Sequence, residues 1–201
     1  MRVNTAASWL TAFGLELPQT LAQQPLADLR VSSKEVVAGD VFLALPGTKT
    51  HGNDFIPQAL AQGAALVLTN QPAAVDDARV LVWPALMSQL TALIEAYYPH
   101  PQLQLVGVTG TNGKSSTAIF INQLMQLLGG QAGVIGTLGY GHYQQSTPLN
   151  NTTPHLADLH RILALSSEQG RQLMALEVSS HALDQQRVAG LNFEVAVFTN
   201  L

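Results

Sequence analysis

Short apolar, β-branched runs alternate along this chain with longer stretches whose apolar residues return every third or fourth position. These are the signatures of buried strands and amphipathic helices. The first such stretch predicts a helix with Trp9, Leu10 and Phe13 on one face. Leu26 to Ser33 reads as a strand, Gly39-Asp40 as punctuation and Val41 to Leu45 as a buried strand. After the polar loop 46–52, Asn53 is placed to cap a helix that carries Phe55, Ile56, Ala59 and Leu60 inward and stops at Gly63. Ala65 to Thr69 and Val80 to Trp83 are predicted strands. Leu86 to Tyr97 is a predicted helix with Leu86, Leu90, Leu93 and Ile94 on its inner face. Tyr98-Pro99-His100-Pro101-Gln102 then interrupts the pattern. Two prolines block helix continuation and favour extended chain, which makes this the boundary between a domain of residues 1–98 and one of residues 99–201.

The second half repeats the alternation. An apolar run from Leu105 to Val108 precedes a helix from Lys114 to about Leu128, predicted to bury Ile119, Phe120, Leu124 and Leu127 or Leu128 before Gly129-Gly130 stops it. Gly133 to Leu138 reads as a strand and Gly139 to Asn151 as a ribbon or loop. His155 to Glu168 reads as a helix started by Pro154, Leu173 to Val178 as a buried strand, Ser179-Ser180-His181 as a polar turn and Val195 to Phe198 as a last strand. Strands that alternate with helices predict an α/β fold with a mainly parallel sheet and right-handed crossovers. Leu201 follows directly on a strand with no closing helix, so the expectation is a fragment that holds only part of its second domain.

Composition narrows the classes. Of the 201 residues, 47% are hydrophobic and 11% charged, which fits a core-rich globular chain and excludes disorder. A net charge of −4 without a basic stripe argues against nucleic acid as a partner. The absence of cysteine excludes a disulfide scaffold, a thiolate zinc site and a thiol nucleophile. No apolar run is long enough to span a membrane. Asn4, Thr5, Ser8 and Thr11 break up the N-terminal apolar residues, and no A-x-A cleavage site follows, so a signal peptide is not expected.

The chemistry concentrates where the apolar run Leu105 to Val108 meets Thr109-Gly110-Thr111-Asn112-Gly113-Lys114-Ser115-Ser116. Strand, glycine loop and helix in that order build a phosphate cradle. Gly110 and Gly113 let backbone N–H groups approach oxygens that a Cβ would keep away, and the helix start adds open N–H groups and a positive dipole end. Lys114 supplies a full charge for the outer phosphates, and the Ser115 hydroxyl suits Mg²⁺. The common spacing G-x-x-x-x-G-K-[ST] is not met, because Val108 stands where the first glycine falls. Glu177 is a carboxylate at the end of an apolar strand, a costly position unless it is paired or bound to metal, and a Mg²⁺ ligand is its natural use. Ser179-Ser180-His181 lacks the G-x-S-x-G elbow of a hydrolase. The six histidines lack metal-ligand spacing, and most are read as surface residues. No Asn-Lys-x-Asp motif supports a switch GTPase.

At these residues the chain resembles a known superfamily. Gly107 to Thr117 is similar to the phosphate loop of the Mur ligases and folylpolyglutamate synthases. Asn151-Thr-Thr-Pro154, Glu177-Val-Ser-Ser-His-Ala-Leu183 and Val197-Phe-Thr-Asn-Leu201 resemble the MurE branch, as does the pattern Ser33 … Ala38-Gly39-Asp40-Val41-Phe42 … Gly47 … Gly52. The family commonly has Asp-Ser-Arg where Ser32-Ser33-Lys34 stands, and Lys-Thr-Thr where Lys114-Ser115-Ser116 keeps both hydroxyls.

The resemblance implies an N-terminal α/β UDP-binding domain followed by an incomplete P-loop-type central ATPase domain. The full enzyme would be a cytoplasmic ligase of peptidoglycan synthesis and a monomer at full length. It would use ATP and Mg²⁺ to add meso-diaminopimelate or L-lysine to UDP-N-acetylmuramoyl-L-alanyl-D-glutamate through an acyl phosphate. Carried over, Val31, Ser33, Thr48, Lys49 and Thr50 would meet the UDP end. Asn151, Thr152, Thr153, Ser179, Gln185 and Arg187 would hold the muramoyl-dipeptide. Gly110, Thr111, Asn112, Gly113, Lys114, Ser115 and Ser116 would bind ATP, with Lys114 and Glu177 catalytic and Ser115 and Glu177 on the metal. In that family a carbamylated lysine and the amino-acid pocket follow the last residues matched here, so this chain is expected not to form the amide bond by itself. A fragment that only holds nucleotide or UDP-sugar, or another ligase of the superfamily, remain the alternatives.

Overall fold

The apolar runs do form strands, and the strands sort into separate sheets. The computed structural model describes residues 4–47 and 50–201. The chain divides into two units, Met1–Tyr97 and Tyr98–Leu201.

In the first unit, β1 (Asn4–Thr5) pairs antiparallel with β2 (Pro25–Leu26). β3 (Leu29–Arg30), β4 (Val41–Ala44), β5 (Leu66–Thr69) and β6 (Val80–Val82) form a wholly parallel sheet in that order. The two central strands, VFLA and LVLT, are buried along their whole length, as strands of a covered parallel sheet must be. α1 (Ala6–Leu10) docks on α4 (Leu86–Tyr97): Trp9 Nε1 donates to the Leu93 carbonyl at 2.9 Å, and its ring meets Tyr97 edge-on at 4.6 Å. The remaining helices here are α2 (Gln19–Ala22) and α3 (Ile56–Ala61).

The predicted strand Leu26 to Ser33 does not exist as one element. Leu26 pairs with β1 while Leu29 and Arg30 pair with β4, so the chain changes sheets at Ala27-Asp28. Buried Asp40 fixes that crossing by accepting from Asp28 N at 3.0 Å, Val37 N at 3.1 Å and Arg30 Nε at 2.9 Å. A 3₁₀ turn, Ser33–Glu35, follows. Asn53 is not the cap that its position suggests. His51 accepts from Asn53 N at 3.0 Å, while the Asn53 amide bridges Thr69, Gln71 and Pro72. Residues Gly52–Phe55 wind as a 3₁₀ turn, whose tighter pitch rotates Phe55 outward to 40% exposure.

In the second unit β7 (Gln104–Thr109), β8 (Ala132–Gly136), β9 (Gly139–His142), β10 (Gln145–Thr147), β11 (Leu173–Glu177) and β12 (Val195–Phe198) form one sheet in the order β10-β9-β8-β11-β7-β12. The four strands β8, β11, β7 and β12 are parallel, and β9 and β10 add an antiparallel ribbon to one edge. Alternate side chains sort the two faces. Leu105, Ile135, Met174 and Leu176 pack under α6 (Leu156–Glu168) and α7 (Ser180–Asp184). Val106, Val108, Val134 and Ala175 pack under α5 (Lys114–Leu127). The turn expected at Ser179-Ser180-His181 is the start of α7, with Ser179 Oγ accepting from Ala182 N as its cap.

α5 does not bury the residues that its apolar pattern suggests. Ala118 and Asn122 face the sheet, while Phe120 and Leu124 are 60% exposed and Leu127 and Leu128 more than 80%. Position decides this over hydrophobicity. Ser115 lies over the sheet end, and residues three and seven further along the same helical face are Ala118 and Asn122. His160 also departs from expectation. It is fully buried on α6, its Nδ1 3.3 Å from Nε2 of His100.

Candidate active site

The carboxyl ends of β7, β11 and β12 and the turn after β8 lie side by side, which is where an open parallel sheet offers a crevice. After β7 the chain enters Gly110-Thr111-Asn112-Gly113. Gly110 has φ +128° and Gly113 φ +84°, a region that side-chain-bearing residues avoid. A Cβ on Gly110 would also collide with Thr199 and Asn200. Gly113 occupies the N-cap of α5 and has no side chain to close it, so the first-turn N–H groups stay open toward a ligand.

The segment after β12 holds the loop. Asn200 O accepts from Thr111 N at 3.0 Å and Asn200 Oδ1 from Asn112 N at 3.1 Å. Thr199 Oγ1 donates to the Asn112 carbonyl at 2.7 Å. Lys114 Nζ folds back onto the carbonyls of Gly110 and Thr111, at 2.6 and 3.0 Å. Its charge therefore sits at the rim of the loop, held by neutral acceptors that a phosphate oxygen outcompetes.

Glu177 lies on the α5 face of the sheet, because it is two residues beyond Ala175 on the same strand. It is 3% exposed. Its oxygens accept from Thr137 N at 3.0 Å and Thr137 Oγ1 at 3.3 Å. No ion pair reaches Glu177 among the described residues. The carboxylate lies beside Gly136 of β8, where any Cβ would overlap it. Ser115 and Glu177 line one cleft, with Gly136, Leu138, Tyr143 and Ser146 among its other walls. No three His, Cys, Asp or Glu side chains converge as a metal cluster among the described residues, here or elsewhere. One hydroxyl and one carboxylate without a cation fit Mg²⁺, which keeps several waters and takes phosphate oxygens rather than an all-protein cage.

The residues expected to hold the dipeptide gather around the same strand end. Thr152 Oγ1 lies 3.1 Å from Thr137 Oγ1. Thr153 is fully buried. Its hydroxyl donates to the Glu177 carbonyl at 2.8 Å and accepts from Ser179 N at 3.2 Å, so it fixes the β11–α7 turn. Arg187 donates to the Thr153 carbonyl at 2.8 Å and to Gln185 Oε1 at 2.6 and 3.0 Å. Asn151 is exposed beside them, and Ser116 is exposed on α5. In the first unit Ser33 is buried, donating to Gln58 Oε1 at 2.9 Å, while Val31 is half-buried and Thr50 exposed. Thr48 and Lys49 lie outside the described residues.

Sequence reasoning passed over Gly136 and Thr137, and it did not anticipate the burial of His160. The first two carry a readable signal, a Gly-Thr directly after an apolar strand that neighbours the glutamate's own. On His160, burial above all, and then the charge of His100, hold the imidazole pKa down to about 4. Burial also lowers that of His100.

Comparison with known proteins gives consistent matches. The profile described as Mur ligase middle domain fits residues 108–201, and the one described as Mur ligase family, catalytic domain, fits residues 27–105. A UDP-N-acetylmuramoyl-L-alanyl-D-glutamate–2,6-diaminopimelate ligase of Xanthomonas campestris pv. campestris is 43% identical over 198 residues, covering 93% of this chain and 40% of the relative. The enzyme of that name from Pseudomonas aeruginosa is 41% identical over 190 residues, 92% of this chain and 39% of the relative. The chain thus spans about 40% of the length of these curated relatives. A solved structure of a protein with the same name superposes with TM-score 0.77 at 28% identity, over 100% of this chain and 41% of that one. A MurF ligase from Thermotoga maritima, solved with ADP, gives 0.57 at 26% identity over 86% of this chain and 37% of that one.

Proposed function

The chain belongs to the Mur ligase family, and from that membership we propose that it carries the nucleotide-binding part of an ATP-dependent ligase. The ligase adds meso-diaminopimelate, or L-lysine, to UDP-N-acetylmuramoyl-L-alanyl-D-glutamate in the cytoplasm. The observation that carries this reading is the placement of Ser115 and Glu177 in one cleft beside an uncapped helix start.

In this reading the N–H groups at the start of α5 and the Lys114 ammonium receive the phosphates of ATP, and Lys114 exchanges its loop carbonyls for phosphoryl oxygens. Ser115 and Glu177 hold Mg²⁺, which supplies charge neutralisation for the transferring phosphoryl group. Thr152, Ser179 and Arg187 orient the substrate so that its free carboxylate meets that phosphoryl group. Arg187, already fixed by Gln185 and Thr153, offsets anionic charge with little loss of side-chain freedom. The carboxylate attacks the γ-phosphorus, the bridging P–O bond breaks and ADP leaves. The amine of the incoming amino acid then attacks the carbonyl of the resulting acyl phosphate, and phosphate leaves as the amide forms. No protein nucleophile is required. The first unit, Met1–Tyr97, binds the UDP end through Val31, Ser33 and the 48–50 loop.

Calorimetric titration with Mg-ATP tests the nucleotide half. The chain is expected to bind, Lys114→Ala to lose at least tenfold in affinity, and Glu177→Gln to bind ATP with its Mg²⁺ midpoint shifted upward while melting at an unchanged temperature. Equal affinity in all three proteins refutes the assignment.

A further inference from the structure

We propose that Thr137 is a positioning residue for Glu177, and that it ties this carboxylate to the 151–153 segment through an ordered pair of hydroxyls; this rests on the nucleotide-site reading above. Thr137 is the first residue after β8, and β8 runs beside β11, so its backbone and side chain both meet the Glu177 carboxylate. The backbone N–H donates to Oε1 at 3.0 Å and the hydroxyl to Oε2 at 3.3 Å. Gly136 makes the approach possible, because a side chain there would occupy the carboxylate's own position. Both oxygens are thus aimed by one residue.

The direction of the hydroxyl pair follows from proton counting. An ionised carboxylate only accepts, and a threonine hydroxyl has one proton to give. With that proton on Oε2, Thr137 Oγ1 must accept from Thr152 Oγ1, 3.1 Å away. Thr152 Oγ1 is then left with lone pairs alone and meets any ligand as an acceptor. Movement of the 151–153 segment on substrate binding therefore reaches Glu177 through Thr137, and the metal site and the substrate segment are set together. The register of β8 on β11 is set by backbone pairs from Leu173↔Ala132 to Leu176↔Ile135 and does not use Thr137.

The test is the apparent ATP affinity of this chain as a function of free Mg²⁺, by calorimetry, for wild type, Thr137→Val, Thr137→Ser and Glu177→Gln, with thermal melts on each. Valine keeps shape and the N–H bond but removes the hydroxyl. A lost hydrogen bond to a charged group predicts a Mg²⁺ midpoint about tenfold higher. ATP affinity without Mg²⁺ should be unchanged, and Thr137→Ser should return to within about twofold of wild type. A purely structural residue would instead lower the melting temperature and the metal-free affinity. An unshifted midpoint in Thr137→Val beside a shifted one in Glu177→Gln overturns the proposal and leaves the nucleotide site standing. An unshifted Glu177→Gln, or no ATP binding by wild type, overturns both. If Thr137→Val folds poorly, Thr152→Val decides, because it leaves the Thr137–Glu177 contact intact. A two- to threefold shift, about half the effect of one hydrogen bond, supports the coupling, and no shift overturns it.

Discussion

His160 is the residue whose environment most changes what the second unit does with pH. A buried, neutral imidazole with its pKa near 4 resists a proton that the unfolded chain accepts near 6.5. Above pH 6.5 both states are neutral there and stability is unaffected. As pH falls from 6.5 toward 4 the unfolded state gains the proton and the folded state does not, so stability declines across that window and levels off below it. Between pH 7.5 and pH 5 the expected loss is on the order of 2 kcal/mol. Urea unfolding at the two pH values should show it, and His160→Gln should shrink the difference to the part left by His100, whose pKa burial also lowers, even if it lowers both stabilities. Periodicity could not reveal this burial, because a histidine on α6 and one in a Pro-bracketed linker meet only through tertiary packing. The junction that carries Lys114 and Ser115 was legible for the opposite reason. Its strand, glycine loop and helix start are contiguous in sequence, so the elements there are decided locally.

Legibility at the level of elements followed how much of each was decided nearby. The helix Leu86–Tyr97 and the strand Val195–Phe198 stand at the bounds their apolar patterns indicate. The stretch from Leu26 to Ser33 failed because two sheets compete for it, and α5 failed because both of its flanks are apolar while its phase is set by Ser115. The α5 result has a measurable consequence. Leu127→Glu with Leu128→Lys should change stability by less than about 0.5 kcal/mol, since both side chains already meet water. Leu163→Ala on α6, at a fully buried site, should cost about 2–5 kcal/mol. Denaturant midpoints of the two variants separate an exposed apolar stripe from a core one. Comparable losses would mean that the α5 stripe is covered.

At the scale of the whole molecule, the chain divides between Tyr97 and Tyr98, and the parallel α/β character of both units is what alternating strands and helices had indicated. Pro99, Pro101 and Gln102 are exposed while Tyr98 and Leu103 are buried. Limited proteolysis is therefore expected to cut first within residues 99–102 and to leave two resistant fragments, identified by mass. First cuts inside either unit would argue against independent folding. The clamp on the phosphate loop sets a schedule of a different kind. Asn112 is held by Thr199 and Asn200, 87 and 88 positions further along the chain. A ribosome adding about 5–20 residues per second leaves the glycine loop without its clamp for several seconds after it is made. During that interval β7 has no β12 beside it. Nucleotide affinity should therefore appear late and abruptly in synthesis, when Thr199 and Asn200 clear the exit tunnel, rather than growing with the length of the nascent chain.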